Sequence, residues 1–268
     1  SWAQRRMWFL ERLAPGLAGY QVAGAVRLRG VLDEAGLART LDAIVTRHEA
    51  LRTTLPTVAD GPVQVIAAPG PLPLPRLGLA ALPGDRAEAE AHRHLAAEAA
   101  RPFDLASGPL LRATLVRVAP DDWLLGMTLH HAIGDGWSLG VLLAELGALY
   151  PGGDPDAIPR PPLQYADYAL WQRAQLEGPA VERQLTYWTE ALAGLPAELP
   201  LPTDRPRPPV RAGRGATLAG WVPEAALAAA DGLAKGTGAT RFMVALAAFM
   251  AVLGRWADVE DLCVGTPV

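Results

Sequence analysis

Cysteine is almost missing from this sequence. Its single copy, Cys263, excludes an internal disulfide and leaves no set of thiolates for a metal cluster. Such usage fits a reducing compartment. Basic charge is scarce as well. Against 28 Asp and Glu stand 24 Lys and Arg, a net charge of −4, whereas a nucleic-acid surface needs clustered excess cations. No apolar h-region follows Ser1-Trp2-Ala3-Gln4-Arg5-Arg6, so no signal peptide is read. The most apolar stretch, residues 242–253, is too short to span a bilayer and is expected to be a buried helix. No repeat of solenoid period is present. Together these absences predict a soluble, cytoplasmic protein with neither a membrane nor a nucleic acid as partner.

What is present is a globular composition. The chain has 268 residues, half of them hydrophobic and 19% charged, enough for one large domain or two lobes. Residues 22–28 alternate as a strand. Asp33 is placed to cap a helix over residues 33–51, along which Leu37, Leu41, Ile44, Val45 and His48 recur at helical spacing. Residues 69–75 form a proline-rich loop and residues 86–100 an alanine-rich helix. Two strands follow, over 110–118 and 123–129, joined by a turn at Pro120-Asp121-Asp122. The second strand runs straight into His130 and His131. A helix then begins near Ser138, read as its cap, with Leu139, Leu142, Leu143, Leu146 and Leu149 on its apolar stripe. Helical patterns continue over 163–176 and 181–192. Strand-like segments are expected at 216–222 and 261–264, with two helices between them.

The histidine loop carries the chemistry. Neighbouring side chains on an extended segment point to opposite sides, so one imidazole faces the interior and the other faces solvent or substrate. Imidazole titrates near neutrality and can accept, donate or hold a proton. Asp135 could orient an imidazole or pin the loop through an arginine. Gly134 and Gly136 allow backbone angles or close approaches closed to larger residues. Spacing alone favours a structural pair in a tight turn over a catalytic one, and no acidic or thiol ligands accompany the pair for a metal. Arg47-His48-Glu49 ends a helix, where a solvated or capping role is expected. Tyr165, Tyr168 and Trp171 are expected as a buried stripe, and His92 and His94 as solvent-facing.

The run Leu129-His130-His131-Ala132-Ile133-Gly134-Asp135-Gly136-Trp137-Ser138 resembles the HHxxxDG signature of condensation domains of non-ribosomal peptide synthetases. Four further stretches resemble that family's motifs in order: residues 1–10, 47–54, 165–172 and 264–268. The resemblance implies an α/β fold, an α+β sandwich: a lobe like chloramphenicol acetyltransferase (residues 1–177), a Pro-rich linker (178–215) and the start of a second similar lobe (216–268). It implies amide formation between an acyl or peptidyl thioester on a donor carrier protein and an aminoacyl group on an acceptor carrier protein. No cofactor or metal would be bound directly, since phosphopantetheine arms arrive on the carriers, and an adenylation domain is expected nearby. His131 would face the tunnel as base or positioning group while His130 faces inward. Asp135 would pair with an arginine, and Gly136 would let its backbone approach the thioester. Trp137-Ser138-Leu139 departs from the Val-Ser-Trp of epimerisation domains, and the intact histidines disfavour heterocyclisation. The opening motif and the 47–54 motif resemble those of domains that take an L-configured donor. The resemblance also implies that the family's pattern continues past Val268 into an arginine that pairs with the motif aspartate. From this the chain alone is expected to be inactive and to self-associate. The alternatives are an inactive or recruitment-type module of the same fold, and a free-standing acyltransferase.

Overall fold

The computed structural model describes all residues except 14, 15, 17, 60, 151, 155–157, 177, 197, 207–215, 217, 267 and 268. Backbone proximity divides the chain into two units, residues 1–177 and 178–268.

The first unit is built around a four-stranded sheet. Strands β1 (Gln21–Arg29), β7 (Leu111–Ala119) and β8 (Asp122–His130) pair antiparallel, while β6 (Arg76–Gly78) joins β7 in parallel, giving the order β1-β8-β7-β6. Between β1 and β6 lie helix α2 (Glu34–Arg47), a short 3-10 turn (Glu49–Arg52) and four two-residue strands: β2 (Thr53–Thr54), β3 (Thr57–Val58), β4 (Gly61–Pro62) and β5 (Val65–Ile66). Helices α1 (Trp2–Leu13), α3 (Gly84–Ala100), α4 (Gly136–Leu149) and α5 (Tyr165–Gln175) complete the unit.

Alternation along β8 explains its nearly unbroken apolar sequence. Trp123, Leu125, Met127 and Leu129 join the core formed with Leu37, Leu41, Ile44 and Val45 of α2 and Leu142, Leu146 and Leu149 of α4. Leu124 turns the other way, packing with Val116, Val118 and with Ala87 and Ala91 of α3. A strand covered on both faces must be apolar at every position, and β8 is buried from Trp123 to His130. Gly126 belongs to the α3 face. A Cβ there would sit 2.4 Å from Leu95 Cδ2 and would push that side chain aside.

Helix α2 begins as the sequence predicts: the Asp33 carboxylate accepts the Gly36 N–H at 2.9 Å. It ends at Arg47, short of the expected Leu51, because the chain tightens there into the 3-10 turn. On α4 the expected apolar stripe is buried at Leu142, Leu146 and Leu149, Leu139 packs half-buried against the same core, and Leu143 is exposed.

The second unit contains α6 (Pro179–Ala191), α7 (Glu224–Thr237) and α8 (Arg241–Ala257). Thr240 caps α8, accepting the Met243 N–H at 3.2 Å, and Asp231 receives two hydrogen bonds from Arg241 at 2.6 and 2.7 Å. Two expectations are corrected here. Helix α8 is not buried: Phe242, Met243, Phe249, Val252 and Trp256 are exposed, and its principal neighbour is α7 alone. The segments 216–222 and 261–264 form no strands among their described residues. An extended segment needs a partner for its N–H and C=O groups, and this unit has no strand among the described residues to supply one. Among the described residues no single helix is long and apolar enough to cross a membrane; α7 and α8 meet that test only as a pair bent by 110°.

Candidate active site

Strand β8 delivers the two histidines to opposite environments. His130, in phase with Leu124, Gly126 and Thr128, lies on the α3 face and is 3% exposed. Its N–H donates to Leu110 O at 2.9 Å, and its own carbonyl accepts from Ile133 N at 3.0 Å. The ring Nδ1 accepts the Ala132 N–H at 3.0 Å, and the ring meets Phe103 edge-on with centroids 6.2 Å apart. An Nδ1 that accepts a hydrogen bond must carry a lone pair, so the neutral ring holds its proton on Nε2. Burial, with the neighbouring His131 charge adding to it, pushes the His130 pKa down from 6.5 to about 4. His131 is exposed, and its main chain is fixed by a hydrogen bond from its N–H to Tyr20 O at 2.8 Å. The pair therefore splits inward and outward as the residue pattern predicts, with His130 the buried member as the resemblance implies.

Past His131 the chain turns directly into α4. Asp135, not Ser138, is the N-cap: its Oδ1 accepts the Ser138 N–H at 2.8 Å and the Ser138 hydroxyl at 2.7 Å. Ser138 answers as the third helical residue, its Oγ lying 3.1 Å from the Asp135 N–H. These bonds, the Ser138 N–H foremost, hold the Asp135 carboxyl below the usual carboxylate range. Among the described residues the Asp135 carboxylate is taken up by this cap. Arg52, the candidate for the expected arginine partner, instead reaches Glu49 at 3.4 Å and the Ala67 carbonyl. Gly134 sits at a close approach, since a Cβ would come within 3.2 Å of Ser138 Cβ and 3.3 Å of Leu129 Cδ1. Gly136 has nothing within 4 Å of where a Cβ would lie, and its φ is not left-handed. No neighbour in the fold therefore demands glycine there. As the first helical residues, Gly136 and Trp137 present N–H groups that α4 itself does not use.

Residues outside the signature hold the loop. Gln4 of α1 is buried, donating from Nε2 to Ala132 O and to Gln64 Oε1, each at 3.2 Å. It shares the inward face of α1 with Met7 and Trp8, so a polar residue at i−3 and i−4 from two apolar ones was the available signal. Of the two roles expected for the 47–49 motif, capping is the one observed, with His48 as the C-cap of α2. Arg47 Nε and His48 Nε2 converge on Glu145 Oε2 of α4 at 3.4 and 2.8 Å, and Arg47 also donates to Ile158 O and Pro159 O. Gln164 returns the contact, donating to Arg47 O and accepting the Glu49 N–H, both at 3.0 Å. The aromatic stripe of α5 stacks as Tyr165–Tyr168–Trp171, centroids 5.6 and 5.8 Å apart, but Tyr168 and Trp171 are exposed rather than buried. Only Ala169 of α5 is buried, because the aromatic face turns away from the core. His92 is solvent-facing as expected, and His94 is half-buried.

A family model for the condensation domain matches residues 1–268. A linear gramicidin synthase polypeptide from Brevibacillus parabrevis is 42% identical over the whole chain, as is the phosphinothricin tripeptide synthetase PhsC of Streptomyces viridochromogenes. The chain spans 4% and 25% of those relatives' lengths. Among solved structures, the X-domain in complex with OxyB from teicoplanin biosynthesis superposes with a TM-score of 0.82 at 30% identity, covering 95% of this chain and 56% of that one. The starter condensation domain of rhizomide synthetase RzmA superposes at 0.64 and 25%, covering 74% and 48%. A whole-length match to the family, relatives among peptide synthetases and a shared fold agree: the chain belongs to the condensation-domain family.

Proposed function

We propose that this domain forms an amide bond between an acyl or peptidyl thioester on one carrier protein and the amine of an aminoacyl group on another, with His131 as the catalytic side chain. The observation that carries this reading is the split of the histidine pair. One ring is locked neutral in the packed interior, and the other stands exposed at the mouth of the loop that enters α4.

A thioester is already activated, so the chemistry asks mainly for placement. Aligning two tethered reactants supplies on the order of 7–11 kcal/mol of the barrier. The amine nitrogen attacks the thioester carbonyl carbon, the C–S bond breaks, and the sulfur leaves as a thiol. His131 holds the amine, takes its proton as the C–N bond forms, and returns it to the sulfur; a positioned imidazole contributes about 10²–10⁴-fold. The unused N–H groups of Gly136 and Trp137, at the positive end of α4, suit the oxygen on which charge develops. A glycine that the fold itself does not require leaves that backbone open to a substrate. No acyl-enzyme is formed, so no serine or cysteine nucleophile is called for. The substrates' phosphopantetheine arms come with the carriers and are part of the substrate. Within such an assembly an adenylation domain supplies the aminoacyl group, and the setting is the cytoplasm.

The test is product formation from carrier-bound donor and acceptor in the intact synthetase, with wild-type and His131→Ala proteins. Carrier-dependent amide formation that the variant loses supports the reading. Equal turnover by the variant would refute it, and transfer from free small thioesters at the same rate would favour a carrier-independent acyltransferase.

A further inference from the structure

We propose that Arg112, acting through Phe103, is a positioning residue for the histidine pair. The reading of His131 as the catalytic side chain underlies the kinetic half of this inference.

Arg112 lies on β7 opposite Thr128 of β8, on the same face of the sheet as His130. Its guanidinium carbon stands 3.7 Å from the centroid of the Phe103 ring, a close cation–π stack. Phe103 in turn sets its ring at 90° to His130. The same guanidinium gathers the carbonyls where α3 ends: Nη1 donates to Pro102 O at 3.1 Å, and Nη2 to Glu98 O at 3.1 Å and Arg101 O at 2.5 Å. Gln21, which faces His130 across the β1–β8 ladder, donates to Arg101 O at 2.9 Å. One side chain thus fixes the whole 98–103 segment, and that segment fixes the ring against which His130 rests.

The consequence reaches the loop. His130 keeps its Nδ1 on the Ala132 N–H only while the ring is neutral and cannot swing, and that bond shapes the main chain immediately after His131. Phe103 meets both the Arg112 guanidinium and the His130 ring; Glu98 pairs with Arg112 and Arg101, and Asp104 and His131 follow Phe103 and His130 in the chain. Without the Arg112 anchor, Phe103 loosens, water reaches the His130 ring, and protonation removes the acceptor that the loop needs.

The experiment compares wild type with Arg112→Met, Phe103→Leu and Arg112→Lys. Nitrogen NMR of the His130 ring is followed in this chain from about pH 8 to about pH 4. The pH profile of amide formation is measured in the intact synthetase. Arg112→Met and Phe103→Leu are expected to raise the ring's titration midpoint by about one unit or more toward the ordinary histidine value. The acid limb of kcat should move with it while KM for both carriers holds, and Arg112→Lys should restore part of the shift. An unmoved midpoint and acid limb, with activity falling equally at every pH in step with melting temperature, would overturn the inference and leave Arg112 as mere packing. A shifted ring titration in a protein whose wild type forms no amide would uphold the contact and overturn the condensation reading instead.

Discussion

Acidification should unfold this protein earlier than its carboxylates require, and the reason is His130. The fold accepts its ring only as the neutral form, with a pKa pushed down to about 4 from the ordinary 6.5. The unfolded chain binds a proton that the folded chain refuses, so stability is complete above 6.5 and falls as the pH drops through that value toward 4. Linkage over this interval gives a loss of about 2 kcal/mol at pH 5 and about 3 kcal/mol near pH 4, against a total of roughly 5–15 kcal/mol for a typical domain. The depressed carboxylates Asp104, Asp122 and Asp135 work in a different window, because their stability is lost only below the ordinary value of 3.8. The assay is urea unfolding of wild type and His130→Gln at about pH 8 and about pH 5. The glutamine protein starts less stable, but the difference between the two proteins should shrink by about 2 kcal/mol on acidification, since glutamine cannot titrate. Parallel pH dependences in the two proteins would refute the argument, and so would a wild type that gains stability on acidification.

His131→Ala should leave the melting temperature unchanged and lower amide formation by about 10²–10⁴-fold, because the ring is exposed and its role is in the reaction. Asp135→Ala should cost about 0.5–2 kcal/mol, the loss of a helix cap, rather than the roughly 3–5 kcal/mol of an orphaned buried ion pair. Asp135→Asn, which can still accept the Ser138 N–H, should lose less; a thermal melt of each protein decides it. Gly126→Ala places its Cβ against Leu95 and should destabilise by about 1–3 kcal/mol in urea, with residual activity tracking the folded fraction. Glu145→Gln removes the charge that Arg47 and His48 share, and should cost a similar amount, about 1–3 kcal/mol, measured the same way.

The main elements of the first unit were legible because their patterns are local. Asp33 followed by Leu37, Leu41, Ile44 and Val45 announces a capped amphipathic helix, and all four apolar residues are buried. Strand, turn and strand around Pro120 and Asp121 are equally plain, and they bring the histidines to the end of β8. Parity says only that the two rings part, and which of them is buried comes from the family resemblance. What misled was everything that depends on contacts distant in sequence. Whether the Tyr165 face of α5 or the Phe242 face of α8 is covered depends on which other element reaches it, and no periodicity states that. Asp135 also meets a partner that was not sought, three residues ahead, where a hydroxyl at the third helical position makes a capping box. Gln4, Phe103, Arg112 and Glu145 carry no motif of their own, since each matters through the side chain or carbonyl it meets in the fold.

Those partners explain why one loop can be rigid and still present a reactive side chain. A loop between a strand and a helix is normally held by its two ends, and here both ends are unusually firm. Strand β8 is covered on both faces, and α4 begins on a reciprocal cap of Asp135 and Ser138. Between them His130, Gly134 and Gln4 fill the inner side: a neutral ring holding Ala132 N, a glycine allowing close approach, and an amide holding Ala132 O. Both main-chain polar groups of Ala132 are thereby occupied from within the protein, so the residue before it, His131, has little freedom in its main chain. Its ring alone remains free to turn outward. Catalysis by alignment needs a side chain whose backbone does not drift, because small displacements of a base from its proton cost orders of magnitude in rate. On the proposed reading, the buried histidine is the device by which the exposed one is kept in place.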